Sequence, residues 1–432
     1  MNHLAAYTFW NPWWSGQAGW LQAVERDVMA ELLPLLQRPE ILIVTGVRRS
    51  GKTTILHLLI QKLQDEGVPS RNILHLNLED PAFSGLSLSF LYEKYLELMT
   101  PEGKVYLFLD EVQEVEGWQR DLRKLYDGPQ RIKCIVTGSN SSLLRGEYAT
   151  LLTGRTLTCE VFPFSFREFL MVRGWNDGFD QHLLLARKPL LLNLFAEYLR
   201  RGGFPEVVRE PDQRIKSLLL KEYYSAILTR DVLRRYPLRH AARHEAAAHY
   251  LVSNVTSLFS AKSLAPTLNI NPHTLEEYLG YLEDVYLFFC LKHFSYSVKQ
   301  QITYPRKVYS VDNGMIDAVA FRFSEDQGRM LENLVMVELK RRGKECYYWK
   351  GKKECDFVVM ERGRVTVAIQ VCHTLESPQT RKRELEGARE AMREFGLSGG
   401  LILTYDEADV ITVDEGTVNI VPVWWWLCRE IE

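Results

Sequence analysis

Residues 46–53 read GVRRSGKT, with Gly46, Gly51, Lys52 and Thr53 at the spacing G-x-x-x-x-G-K-[ST]. The apolar run Ile41-Leu42-Ile43-Val44 precedes them and the helical pattern of Ile55, Leu56, Leu58 and Leu59 follows. The motif therefore stands between a strand and a helix, the context in which such a loop cradles phosphate. The two glycines let the loop curl, so that backbone N–H groups of Val47, Arg48, Arg49, Ser50 and Thr54 join those of the motif residues around one anion. A helix beginning near Lys52 adds the positive end of its dipole. The expected guest is a polyphosphate: Lys52 would lie along the β- and γ-phosphate oxygens, and the Thr53 hydroxyl would take one position in the octahedral shell of Mg²⁺.

A second constellation supplies acids. Val105-Tyr106-Leu107-Phe108-Leu109 is a continuous apolar run, typical of a strand buried on both faces, and it ends in Asp110-Glu111. Carboxylates at the C-terminal end of such a strand stand where ligands bind in open α/β sheets. Asp110 is the candidate partner of Mg²⁺, through water, and Glu111 the candidate that polarises an attacking water. A further apolar strand, Ile132 to Thr137, runs into Gly138-Ser139-Asn140. Ser139 and Asn140 are both candidates to touch the γ-phosphate or that water, and spacing does not choose between them.

The elements that must position these residues alternate. Apolar strands over 41–45, 73–78, 105–109, 132–137 and 156–161 are separated by helical patterns, which predicts an α/β core with a parallel sheet covered on both faces. At 432 residues the chain exceeds a single core. The expected organisation is an aromatic-rich arm over 1–30 packed on the core, the core itself over 31–198, a helical lid over 199–245, a winged helix over 246–300 and a last α/β domain over 301–432. An apolar share of 46% with 25% charged residues is that of an ordinary globular protein. A net charge of −2 and a pI near 6.6 exclude a uniformly basic nucleic-acid coat, leaving only local patches. Seven scattered cysteines without a C-x-x-C pair fit reduced thiols and argue against a structural zinc. Without a signal-peptide pattern, and without an apolar run near the ~18 residues of a membrane span, the expectation is a cytoplasmic protein with no membrane partner.

Two stretches bear on nucleic acid. Residues 199–243 carry eleven Lys or Arg against five acids, and Arg230, Arg234, Arg235, Arg239 and Arg243 fall largely on helical spacing. That is a ridge for phosphates or a salt-bridge surface between subunits. Then 250–259 reads as a helix, 261–268 as a second, and 272–287 as a third capped by Asn271 with Pro272 at its first position. A strand over 288–294 follows. Three helices and a β-wing describe a winged helix, whose third helix would lead into a major groove with His273, Thr274 and Glu277, or serve as a protein–protein spacer.

GVRRSGKTT, LFLDEVQ, VTGSNSSLL, LTGR with PFSFREFL, and GGFPEVV at 202–208 together resemble the AAA+ ATPase group in which such a P-loop core is coupled to a further C-terminal region, as in many archaeal and bacterial predicted ATPases. The resemblance implies ATP as the nucleotide, hydrolysis with Mg²⁺, and a homo-oligomeric ring such as a hexamer. It implies that Arg155, preceding the last core strand, acts on the nucleotide of a neighbouring subunit, whereas the residue's own chemistry equally allows a pair with an acid of its own domain. It also places Pro205, in Gly203-Phe204-Pro205, against the adenine. The last domain resembles the restriction-endonuclease-like fold, with Asp356 and Glu332 at two of its acid positions. Gln370 and Cys372 stand where a second carboxylate and a lysine belong, which implies a degenerate nuclease fold kept for binding or assembly. The expected function is an ATP-driven machine that remodels or translocates duplex or branched DNA. The alternatives are a nucleotide-gated switch controlling a protein interaction and an ATP-regulated nuclease.

Overall fold

The computed structural model describes residues 3–16, 21, 23–129, 131–141, 151–175, 178–236, 241–321 and 327–429. The chain divides into two compact units, one of residues 1–162 with 284–286, the other of 163–283 with 287–432. Trp20, Arg239 and the segment 142–150 lie outside the described residues.

The first unit runs α1 (His3–Trp10), α2 (Met29–Leu35), β1 (Ile41–Thr45), α3 (Lys52–Asp65), β2 (Ile73–Asn77), α4 (Leu88–Met99), β3 (Val105–Asp110), α5 (Trp118–Asp127), β4 (Ile132–Gly138) and β5 (Thr156–Glu160). Its sheet has the order β2-β3-β4-β1-β5 and is parallel throughout. Every residue of β1 and β3 is buried, because successive side chains point to opposite faces and both faces are covered. Ile41, Ile43, Leu107 and Leu109 pack with Tyr92 and Tyr95 of α4 and Trp118 of α5. Leu42, Val44, Tyr106 and Phe108 pack with Leu32 of α2 and Ile55 and Leu59 of α3.

The aromatic arm closes the β2 edge of this sheet. The Asn11 amide donates to the His75 carbonyl (2.8 Å) and accepts from the His75 N–H (2.7 Å), so it pairs the strand's outward backbone groups as a neighbouring strand would. The Trp14 indole donates to Ile73 O (3.0 Å) and the Tyr7 hydroxyl to Leu91 O (2.7 Å). Tyr7 and Trp14 thus spend their polar atoms on the core.

In the second unit, Phe166–Val172 is a helix fixed at its start by a capping box between Ser165 and Glu168, which explains the S-x-x-E spacing inside PFSFREFL. Further helices lead to Ala241–Ser253, β6 (Leu258–Phe259), helices Ala261–Leu268 and Pro272–Asp284, β7 (Phe288–Leu291) and β8 (Arg306–Ser310). These three strands form an antiparallel sheet of order β6-β8-β7. The helix expected over 250–259 is thereby corrected: it starts earlier and ends at Ser253, because Thr256 turns to φ 63° and gives its N–H to Val308 O (2.7 Å), drawing the chain into the sheet. The third helix ends at Asp284, not 287, just before Tyr286 with φ 60°. A second sheet of order β13-β14-β12-β11-β10-β9 comprises β9 (Glu345–Lys350), β10 (Glu354–Glu361), β11 (Arg364–Val371), β12 (Gly399–Thr404), β13 (Asp409–Val413) and β14 (Gly416–Pro422). It packs with helices Gln327–Arg341 and Pro378–Phe395. Among the described residues no helix is long and apolar enough to cross a membrane.

Candidate active site

The loop between β1 and α3 is built by backbone conformations that ordinary residues avoid. Gly46 has φ 148°, and a Cβ there would lie 2.1 Å from Val161 O, just past the end of β5. Gly51 has φ 95° and Arg49 φ 70°. Val47 and Ser50 are buried, Thr54 is half-buried on α3, and Arg49 is exposed. Arg48 turns aside to Glu79 (3.2 Å). Gly46→Ala should therefore displace the loop from β5, destabilise the unit by about 1–3 kcal/mol and weaken nucleotide binding. Thermal melting and titration with a fluorescent nucleotide check it, and unchanged values would show that the loop tolerates a side chain there.

A residue that sequence reasoning missed braces the loop. Arg26 is 4% exposed, donating to Ser50 O (3.0 Å) and Phe162 O (2.8 Å). It ties the loop to the segment after β5 with a fixed guanidinium fork.

Inside the cradle, Lys52 Nζ donates to the carbonyls of Gly46 (3.1 Å) and Val47 (3.2 Å) and lies 3.8 Å from Glu111 Oε1. The Thr53 hydroxyl donates to Asp110 Oδ2 (2.5 Å). Thr137, at the end of β4, donates to Asp110 Oδ1 and accepts the Glu111 N–H (2.9 Å). Burial, reinforced by Glu111, raises the Asp110 pKa, while Thr137, Thr53 and Lys52 pull it down. Glu111 takes φ 54°, a conformation rare outside glycine that turns it off the strand end. Its Oε2 accepts from Gln113 Nε2 (2.5 Å). Lys52, Thr53, Asp110 and Glu111 are thus brought together, with Thr137 and Gln113 as positioning residues. The stretch Thr137-Gly138-Ser139 pointed to that strand tip, but not to Thr137 as the orienting group.

Gly138 pairs in register with Thr45, so Ser139 and Asn140, both buried, follow directly beside the start of the loop. Nearby, the Ser141 hydroxyl donates to Asp284 Oδ1 (3.0 Å) and the Tyr286 hydroxyl to Thr45 Oγ1 (2.8 Å), so that residues distant in sequence buttress these strand ends. Arg155 lies at the other end of the sheet. Thr156 pairs with Ile41 and Glu160 with Thr45, which puts Arg155 six residues, about 20 Å along the strands, from the start of its own chain's loop at Gly46. Arg155 pairs with Asp127 (3.0 Å), and this partner lowers the Asp127 pKa. Pro205 falls in the second unit, where it opens the helix Pro205–Arg209. Before it, Gly203 accepts from Phe164 N (2.7 Å) and donates to Asp312 Oδ2 (2.7 Å).

The second unit brings Asp356 and Glu332 together, and between them stands Lys307, a residue the sequence did not single out. Burial opposes its charge, but Glu332 and Asp356 raise the Lys307 pKa well above its ordinary value. Cys372 is buried and its pKa is raised by burial.

A family model described as an AAA domain matches residues 38–170. Two domains of unknown function, DUF8612 and DUF4143, match residues 192–326 and 327–426. An uncharacterized protein of Methanocaldococcus jannaschii, MJ1544, is 34% identical over 422 residues, covering 94% of this chain and 91% of that protein. An uncharacterized protein of Haemophilus influenzae is 30% identical, covering 78% of this chain and 84% of its own length. Among solved structures, the Aeropyrum pernix Orc1 protein in complex with DNA aligns over 76% of this chain and 97% of that one, at 14% identity and a TM-score of 0.32. AMPPCP-bound DnaA from Aquifex aeolicus aligns over 60% and 86%, at 16% identity and a TM-score of 0.26.

Proposed function

The chain belongs to the family of the M. jannaschii protein MJ1544, and from that premise we propose that it is a Mg²⁺-dependent ATPase that works as a homo-oligomer on DNA. The observation that carries the reading is the convergence of Lys52, Thr53, Asp110 and Glu111 on one loop and one strand end. The cradle suits a phosphate chain: Gly46 leaves no room for a side chain against Val161, and the buried Ser50 hydroxyl has no hydrogen-bond partner among the described residues. Thr53 and Asp110 are the residues that would hold Mg²⁺, which when bound neutralises charge on the β- and γ-phosphate oxygens. Lys52 leaves its loop carbonyls for those oxygens. Glu111, held by Gln113, orients the attacking water and draws off its proton. Arg155, too far from its own loop, exchanges Asp127 for the γ-phosphate of a neighbouring copy. Ser139 or Asn140 would sense the γ-phosphate from the tip of β4.

For DNA, the support is the succession Ala241–Ser253, β6, Ala261–Leu268, Pro272–Asp284, β7 and β8, which has the order of a winged helix. The basic ridge adds to it, with Arg230 and Arg234 exposed. Combined Arg234→Ala and Arg235→Ala should weaken duplex binding and lower the slope of log K against log salt by up to about 2. Fluorescence anisotropy across a salt series checks this, and unchanged binding would move the contact surface elsewhere.

One observation favours the second reading, a nucleotide-gated switch for a protein partner. The second turn of Pro272–Asp284 is acidic, with Glu276 paired to Arg306 and Glu277 lying 3.6 Å from His273, a poor face for phosphate. ATP turnover with and without duplex, single-stranded and branched DNA separates the two. Strong stimulation is the result expected of a DNA machine, and indifference to all three would favour the switch.

A further inference from the structure

The connection between β7 and β8 holds apolar side chains open to solvent on a braced backbone. Tyr296 is 83% exposed, Val298 68% and Ile302 71%, and no residue of the helix Val298–Thr303 is buried. Singly such residues are ordinary, but three within seven positions make a patch. Local bonds fix its shape. The Ser295 hydroxyl donates to Gln300 Oε1 (2.6 Å) and accepts the Ser297 N–H (3.0 Å), while Gln301 Nε2 donates to Ser295 O (2.7 Å). At the base the His293 ring stacks on Tyr304 at 4.4 Å, and the Tyr348 hydroxyl donates to Pro305 O (2.5 Å). A side chain presented on such a turn loses little freedom when a ligand covers it.

Cations stand beside the patch. Residues 292–307 hold four Lys or Arg and no acid, with Lys292 and Lys299 exposed. At His293 the chain runs parallel to β9, bridging to Tyr348, and Phe294 and Trp349 both meet the Phe395 ring, at 5.1 and 5.6 Å. Tyr296, 5.2 Å from Phe294, therefore emerges on the side where β9 ends in Lys350 and the chain turns through Lys352 and Lys353. All three lysines are exposed. Lys350 has Glu354 at 3.7 Å and Lys353 has Glu386 at 3.3 Å, open pairs that a phosphate can replace. Glu390 is already engaged by the Lys352 and Lys353 N–H groups (2.8 and 2.7 Å).

We propose that this connection binds single-stranded DNA where it leaves a duplex, with Tyr296 stacked on an unpaired base, Val298 and Ile302 against the last base pair, and Lys299, Lys350, Lys352 and Lys353 on the backbone phosphates. An unpaired nucleotide offers an apolar π-face beside a negative charge, and the patch offers an aromatic ring beside lysines. A fully paired duplex hides its base faces within the stack, so an apolar tip gains there only by forcing two steps apart. The inference rests on the DNA reading above and names the form of DNA that it concerns.

The test compares the affinity of the full-length protein for a blunt duplex and for the same duplex with a single-stranded tail, by fluorescence anisotropy at several salt concentrations. The wild type should bind the tailed DNA about tenfold more tightly. Tyr296→Phe should keep that preference, and combined Tyr296→Ala and Ile302→Ala should erase it while leaving the blunt duplex bound as before. Combined Lys350→Ala, Lys352→Ala and Lys353→Ala should lower the salt slope for the tailed DNA by up to about 2. Equal wild-type affinity for the two DNAs overturns the inference and leaves the DNA reading standing, as does a preference that survives the double variant. Equal losses on both DNAs in the double variant overturn it too, making the connection a general duplex contact. No binding of either DNA at low salt removes the DNA reading and this inference together, and gives the patch to a protein partner.

Discussion

Glu111→Gln protein is expected to bind ATP as the wild type does and to release phosphate about 10²- to 10⁴-fold more slowly. The amide keeps the size of the carboxylate and can still accept from Gln113, which donates to Glu111 Oε2 at 2.5 Å, so the fold of the strand end is preserved. It loses the capacity to take a proton and the charge that faces Lys52 at 3.8 Å. In the cradle Lys52 donates to the carbonyls of Gly46 and Val47, and Thr53 to Asp110, so these contacts survive the loss of the 3.8 Å pair with Glu111. Binding and turnover should therefore separate cleanly, whereas Lys52→Ala should weaken both. Single-turnover phosphate release beside equilibrium nucleotide binding makes the comparison, and a Glu111→Gln enzyme at wild-type rate would remove Glu111 from the mechanism.

Arg155→Ala is expected to bind ATP normally and to lose about 10³-fold or more in kcat. A guanidinium brought to the γ-phosphate stabilises charge that spreads over the equatorial oxygens in the transition state, when water is excluded. The Arg155–Asp127 pair does not stand in the way, since both side chains are partly open to solvent and water screens their attraction. Because Arg155 sits at the β-sheet end opposite its own loop, the proposed effect is one that passes between copies. Arg155→Ala mixed with an excess of Lys52→Ala should regain activity, as each supplies what the other lacks at a shared interface. Failure of the mixture to recover, with constant specific activity of the wild type on dilution to monomer, would return Arg155 to a purely local role with Asp127.

Much of the first unit was legible because its signals are local. A parallel strand covered on both faces reads as an unbroken apolar run, as at Ile41–Thr45 and Val105–Asp110, and the loop between β1 and α3 is contiguous in sequence. Arg26 was not legible, since its partners Ser50 and Phe162 lie 24 and 136 residues away and a lone arginine carries no period. The same holds for Lys307, whose acids follow it by 25 to 49 residues. Asp356 and Glu332 were found through resemblance, but that pattern sought a lysine at position 372, so one arriving from β8 escaped it. β6 is two residues long, too short for alternation to register, and the apolar spacing of 250–259 passed for a helix.

The P-loop is expected to hydrolyse ATP with Mg²⁺. Phosphate release from ATP by the wild-type protein, followed in Mg²⁺ and in EDTA over a series of protein concentrations and beside Lys52→Ala, tests it most directly. Release should require Mg²⁺, rise in specific rate as copies assemble, and be lost in Lys52→Ala. No release at any concentration from protein that binds ATP, or release that Lys52→Ala leaves intact, would contradict it.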